Sequence, residues 1–131
     1  MKLSKLLVVL AFITTCLSAE DVMQKSMSLM ESGMTSIQKG FLNNNLDLIK
    51  DGVKLVKEGN ELYSSKELIT KNLPENKKHM ANVAENASKR ISQDIAKLEK
   101  NLNNKAYLKA TESYSDMLNA CSNCHSIVRN W

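Results

Sequence analysis

The sequence predicts an all-α protein that folds as an antiparallel four-helix bundle. Apolar residues recur at spacings of three and four over most of the chain, which is the pattern of amphipathic helices. No stretch shows the alternation typical of a β-strand, and a length of 131 residues fits one small domain. Four amphipathic helices joined by short turns bury their apolar faces most simply in a bundle.

Residues 1–19 have the composition of a secretory signal peptide. Two lysines precede an apolar run at residues 6–13, and small residues follow up to Ala19. The run is shorter than the roughly 20 apolar residues that a membrane span needs. We therefore expect an exported, periplasmic protein whose single domain covers residues 20–131.

Cys16 lies within this segment, but Thr15 before it fits a lipoprotein signal poorly, so no lipid anchor is expected. Removing residues 1–19 lowers the net charge from +4 to about +2. The remaining basic residues are interspersed with acidic ones. This pattern argues against a nucleic-acid partner, which requires a concentrated basic surface.

The first two helices are predicted at residues 22–41 and 46–63, separated by three consecutive asparagines. The apolar face of the first helix comprises Met23, Met27, Met30, Met34, Ile37 and Phe41. The second helix follows the same periodicity from Leu46 to Tyr63, with a supporting row of leucines that suits either a core or an interface between copies.

Pro74 marks a boundary near residue 72, because proline disfavours helix in the residue before it and suits a first helical turn. The third helix is predicted from Met80 to Leu98 and ends in the Asn-rich segment 101–104. The fourth runs from Tyr107 to Val128. Small residues on these faces suit either close helix packing or room for a flat cofactor: Gly33, Ala84, Ala87 and Ala110.

The fourth helix carries a C-x-x-C-H motif at residues 121–125. In this motif two thiols bond to the vinyl groups of haem and the adjacent imidazole binds its iron. On a helix, positions i, i+3 and i+4 share one face, so one turn can supply all three bonds. We therefore predict one covalent haem c per chain, near the C-terminal end of the last helix, attached at Cys121 and Cys124 with His125 as proximal ligand.

Three other interpretations of the motif stay open. Cys121 and Cys124 could form a disulfide, which the oxidising compartment favours. A zinc site would need a fourth ligand, for which His79 is the obvious residue. A thioredoxin-like redox pair would follow a strand at the start of a helix, whereas this motif lies near the end of one.

The position of the motif, in the last of four helices and near the C-terminus, resembles the class II cytochromes c, the cytochrome c-prime family. In that family an apolar and then a basic residue follow the histidine by three and four positions, and Val128 and Arg129 occupy those places. The resemblance implies that Arg129 lies near the proximal imidazole. A basic residue there also suits the C-terminus of a helix in any protein.

The resemblance also implies that the first helix forms the distal face of the haem. The family spacing recurs here at Met27, Met30, Met34 and Ile37. Met27 is then the distal iron ligand or the group that covers an open site, although methionines also serve as core filler. The arginine that often precedes the distal residue by four is replaced by Met23, so Lys25 or Arg90 would have to contact the haem propionates.

Two functions follow from the sixth iron position. With His125 and Met27 both bound, the protein carries electrons between periplasmic redox partners. With the sixth position open, it binds nitric oxide or another small gas. The methionine-rich face favours the electron carrier, and the lack of polar distal groups argues against an enzyme. Lys105 and Lys109 are candidates for guiding partner docking. Homodimers are frequent in the family that the sequence resembles, and the oligomeric state stays open.

Overall fold

The computed structural model describes residues 19–129, and the prediction of an all-α protein is confirmed for them. They contain five α-helices and one 3₁₀ helix, without a strand. The predicted signal segment, with Cys16, lies outside the described residues except for Ala19, the first residue of α1. The helices are α1 (Ala19–Leu42), α2 (Leu46–Leu62), α3 (Lys66–Asn72), the 3₁₀ helix (Glu75–Met80), α4 (Ala81–Asn103) and α5 (Tyr107–Val128).

A tight turn joins α1 to α2 and makes them an antiparallel hairpin. Asn44 has a left-handed backbone (φ 51°), which asparagine tolerates better than most residues. Asn45 then caps α2, because its side-chain oxygen accepts a hydrogen bond from the backbone N–H of Leu48 at 3.0 Å. The asparagines that the sequence marks as an interruption therefore begin the second helix.

Glycines let α1 and α2 approach until their backbones touch. A Cβ atom built on Gly33 would lie 2.6 Å from the carbonyl oxygen of Gly52, and one on Gly59 would lie 2.7 Å from that of Ser26. The Ser26 hydroxyl donates a buried hydrogen bond of 2.7 Å to the Gly59 carbonyl. Gly33 thus serves close helix packing and makes no room for a cofactor.

The connection between α2 and α4 is longer than the short turn that the sequence predicts. Tyr63 leaves the helical conformation (φ −131°, ψ 38°), and Ser65 begins α3 by accepting a hydrogen bond from the N–H of Leu68. Leu73 is extended (φ −74°, ψ 143°), as expected for a residue before proline. Pro74 therefore precedes a 3₁₀ turn, and the third long helix starts only at Ala81.

The second hairpin consists of α4 and α5, which pack along most of their length. The carboxylate of Asp94 is almost fully buried on α4, where Lys97 donates to it at 2.8 Å. Direct contacts between the two hairpins are far fewer than those within each. Asn60 provides one of them, because its side-chain amide donates to the Ser88 carbonyl and the Ser92 hydroxyl on α4.

The buried side chains form two clusters. The larger contains Met30, Met34 and Ile37 of α1 with apolar residues of α2, α4 and α5. The smaller lies where α2, α3 and the start of α4 meet and is built around Tyr63 and Ile69. Within residues 19–129, no helix has the length and hydropathy needed to cross a membrane.

Candidate functional site: a cavity between the two helical hairpins

A cavity of about 530 Å³ lies between the hairpins and is lined by residues of α1, α2, α4 and α5. Its volume is within the range of small-molecule and cofactor sites, roughly 300–1,000 Å³. Ala84 and Ala87 of α4 contribute to its wall, where small side chains leave space. Ala110, the fourth small residue of the sequence pattern, is instead fully buried in the core.

The α5 wall of the cavity carries the motif residues Cys121, Cys124 and His125, each of which is half-buried. They share one face of the helix because their spacing is three and four. Arg129, one turn after His125, also lines the cavity and is an exposed residue. Three of the five site residues that the sequence predicts thus line the cavity from α5, and Arg129 lines it from the C-cap of that helix.

The two thiols are not joined in a disulfide. Burial, followed by the neighbouring Cys124, raises the pKa of Cys121, and burial raises the pKa of Cys124 against the opposing effect of Arg129. Burial and then the Arg129 charge lower the pKa of His125. Both effects favour the neutral imidazole, which is the form that coordinates a metal.

Methionines of the other hairpin line the cavity from α1. Met27 is half-buried, whereas Met30 and Met34 are buried in the core behind it and reach the cavity as well. Met23 packs against the smaller cluster and does not line the cavity. Met27 and His125 therefore line the same cavity from different hairpins.

The interior wall also holds one polar group for which the protein offers no partner. The hydroxyl of Tyr63 is buried and makes no hydrogen bond, although the Tyr63 side chain lines the cavity. Burial, with a smaller contribution from Cys124, raises its pKa to about 12. The sequence pattern identifies Tyr63 only as a core position, because periodicity shows that a residue is buried but not whether its hydroxyl is satisfied.

Other residues with predicted roles lie away from the cavity. His79 is exposed on the 3₁₀ helix, and Lys25 is exposed on α1. Arg90 extends toward Asp94 (3.7 Å) and Asp116 (4.0 Å). Across residues 19–129, no three histidine, cysteine or acidic side chains are grouped closely enough to hold a metal ion.

Lys109 lies in the first turn of α5, at the opposite end of the helix from the motif, and Lys105 precedes the helix. Lys109 is 12 residues before Cys121, which corresponds to about 18 Å along a helix axis. Neither lysine lines the cavity. A docking surface around an edge of the cavity would therefore not include them.

No protein-family model, no curated protein and no solved structure matches this sequence.

Proposed function

We propose that the chain is an exported monohaem cytochrome c that carries electrons, with haem c attached at Cys121 and Cys124. The observation that carries this proposal is the common cavity: both thiols, His125 and Met27 line one space of about 530 Å³. The donor set fits the group, because two thiols, one neutral imidazole and one thioether are the groups that bind and ligate haem c. The proposed architecture is an antiparallel four-helix bundle of α1, α2, α4 and α5 around this cavity.

When bound, haem supplies one-electron chemistry at its iron. The contribution of the chain is to fix and shield that group. His125 would supply an imidazole whose lowered pKa favours its unprotonated form, and Met27 would supply a soft thioether, a ligand that raises the potential of haem iron. Met30, Met34 and Ile91 add an apolar wall that limits access of water.

The attachment is tested by replacing both thiols. We expect wild-type protein from a host with cytochrome c maturation to retain haem on a denaturing gel, visible by peroxidase staining. The Cys121→Ser/Cys124→Ser variant should lose the stain, whereas Ser122→Ala should keep it. A stain that persists in the double variant would reject attachment at these positions.

An open sixth position is the alternative, which makes the protein a binder of nitric oxide. It is favoured by the partial exposure of Met27 and by the size of the cavity beside it. The visible spectra of ferric and ferrous protein separate the two functions. A low-spin spectrum that becomes high-spin in Met27→Ala supports the carrier, whereas a high-spin wild-type spectrum that responds to nitric oxide supports the gas binder.

A further inference from the structure

The cavity between the hairpins is lined by several sulfur-containing side chains. Two are the thiols of α5 and three are thioethers of α1: Cys121, Cys124, Met27, Met30 and Met34. Thiolate and thioether are soft ligands, and they select soft cations such as Cu(I) over hard ones such as Mg²⁺ or Ca²⁺. The haem-free chain therefore presents a donor set whose chemistry suits a soft metal ion.

The two thiols provide a pair of donors from one helical turn. Side chains at positions i and i+3 of a helix are neighbours, with Cβ atoms about 5–6 Å apart, so both sulfur atoms can turn toward one point. Cys121 and Cys124 are both half-buried, and no disulfide joins them. Before haem is attached, the pair is therefore available to a cation that enters the cavity.

Met27 is placed to supply a third donor. Within the described part of the chain, no three histidine, cysteine or acidic side chains are grouped closely enough to hold a metal, so the thiol pair gains no third ligand of those types. A closed zinc site, which takes four such ligands, is thereby disfavoured. Met27 packs against both buried clusters, whereas Cys121 packs against the larger and Cys124 against the smaller. The thioether thus shares its surroundings with each of the two thiols.

We propose that the haem-free chain binds one Cu(I) ion in the cavity through the sulfur atoms of Cys121, Cys124 and Met27. Each thiol gives its proton to water and coordinates as a thiolate, the thioether coordinates unchanged, and copper stays in the cuprous state. Haem and copper exclude each other, because both bond to the same two cysteine sulfur atoms. The copper site does not depend on the proposed function, since a chain that never acquires haem keeps the same three donors.

Titration of the haem-free exported chain, residues 20–131, with Cu(I) tests the site. The measurement is made without oxygen, with a reductant that lacks thiols and with bicinchoninate, a coloured chelator that competes for Cu(I). We expect one ion per chain, about a hundredfold lower affinity in Cys121→Ser/Cys124→Ser and about tenfold lower affinity in Met27→Leu. Met23→Leu should bind as wild type. It is the matched control, because Met23 is also half-buried on α1 and packs against the smaller cluster but does not line the cavity.

X-ray absorption at the copper edge gives a second measurement, because it counts the sulfur neighbours of the bound ion. We expect one sulfur neighbour fewer in Met27→Leu than in wild type and no change in Met23→Leu. An unfolded chain would not distinguish the two methionines, so a loss confined to Met27→Leu also reports the folded cavity.

A wild-type chain that cannot compete with bicinchoninate would overturn the inference. So would a Met27→Leu chain with the affinity and sulfur count of wild type, or a copper ion shared between two copies, detected as a doubled mass by light scattering. These outcomes are separate from those of the proposed function, because peroxidase staining of the wild-type protein reports haem attachment in the absence of copper.

Discussion

Individual side chains in the cavity have properties that can be measured without a cofactor. Cys121 and Cys124 are three positions apart, yet the structure leaves them as separate thiols in a half-buried wall. Their raised pKa values have burial as the main cause, because desolvation disfavours the thiolate. Near neutral pH both thiols are therefore mainly protonated and react slowly with small electrophiles.

Alkylation of the haem-free chain tests this property. Since only the thiolate reacts, the rate with iodoacetamide should reach half its maximum at a pH above the ordinary pKa of cysteine. The rate is measured by mass spectrometry across a pH series, and the same chain in concentrated urea is the control. Half-maximal alkylation at a pH below that of the urea-unfolded chain would contradict the assigned environment.

The most extensive contact between described helices is that of α1 with α2, and glycine makes it possible. Gly33 and Gly52 oppose each other, and a Cβ on either would lie 2.6 Å from a carbonyl oxygen of the partner helix. An added methyl group can be accommodated only by separating the two backbones, because the opposing atoms belong to rigid helices. The position of Met27 on α1 depends on this contact, since α2 sets where α1 lies.

Gly33→Ala should therefore destabilise the protein by about 1–3 kcal/mol through overpacking. At an exposed helical position the same change would raise the free energy of unfolding by up to about 1 kcal/mol, because alanine favours helix over glycine. A lower free energy of unfolding would therefore indicate that the added methyl group meets the backbone of α2. Urea unfolding measures the difference. Ser32→Ala, at an exposed neighbour on α1, is the control and should change stability by less than about 0.5 kcal/mol. Equal midpoints for the two variants would show that the backbones are not in contact.

The sequence predicts the long helices well because their buried faces repeat every three or four residues. It does not predict α3 or the 3₁₀ helix, since short segments around Ser65 and Pro74 are governed by capping and backbone restriction and carry little periodicity. The sequence also predicts that Cys121, Cys124 and His125 share one face of α5, because their spacings of three and four follow the helical repeat. The common cavity lining of Tyr63 and Arg129 is not predicted, because it joins residues 66 positions apart through the tertiary fold.

In the molecule as a whole, two well-packed hairpins meet through few direct contacts and enclose a large cavity. A group attached to α5 that also contacts α1 would connect the two hairpins and would fill the space in which they make few contacts with each other. Under the proposed function, haem would be a structural component as well as the redox group, because a group that binds only the folded state stabilises it.

Loss of haem should consequently destabilise the whole domain. We expect Cys121→Ser/Cys124→Ser to melt more than about 10 °C below the haem-loaded wild type, since a few kcal/mol corresponds to that shift in a domain of this size. Thermal unfolding followed by far-ultraviolet circular dichroism measures it. The exposed Ser126→Ala change is the control that retains haem. Equal melting temperatures for the wild type and the double variant would mean that a group bound between the hairpins does not stabilise the fold.

The pyridine haemochrome spectrum of the purified wild-type protein, after acid–acetone extraction, tests the central claim most directly. We predict that the haem stays with the polypeptide and gives the spectrum of a group joined through two thioether bonds, in a ratio of one per chain. A chain that carries no haem, or whose haem is extracted and gives the spectrum of an unattached group, would contradict the assignment of Cys121 and Cys124 as its attachment sites.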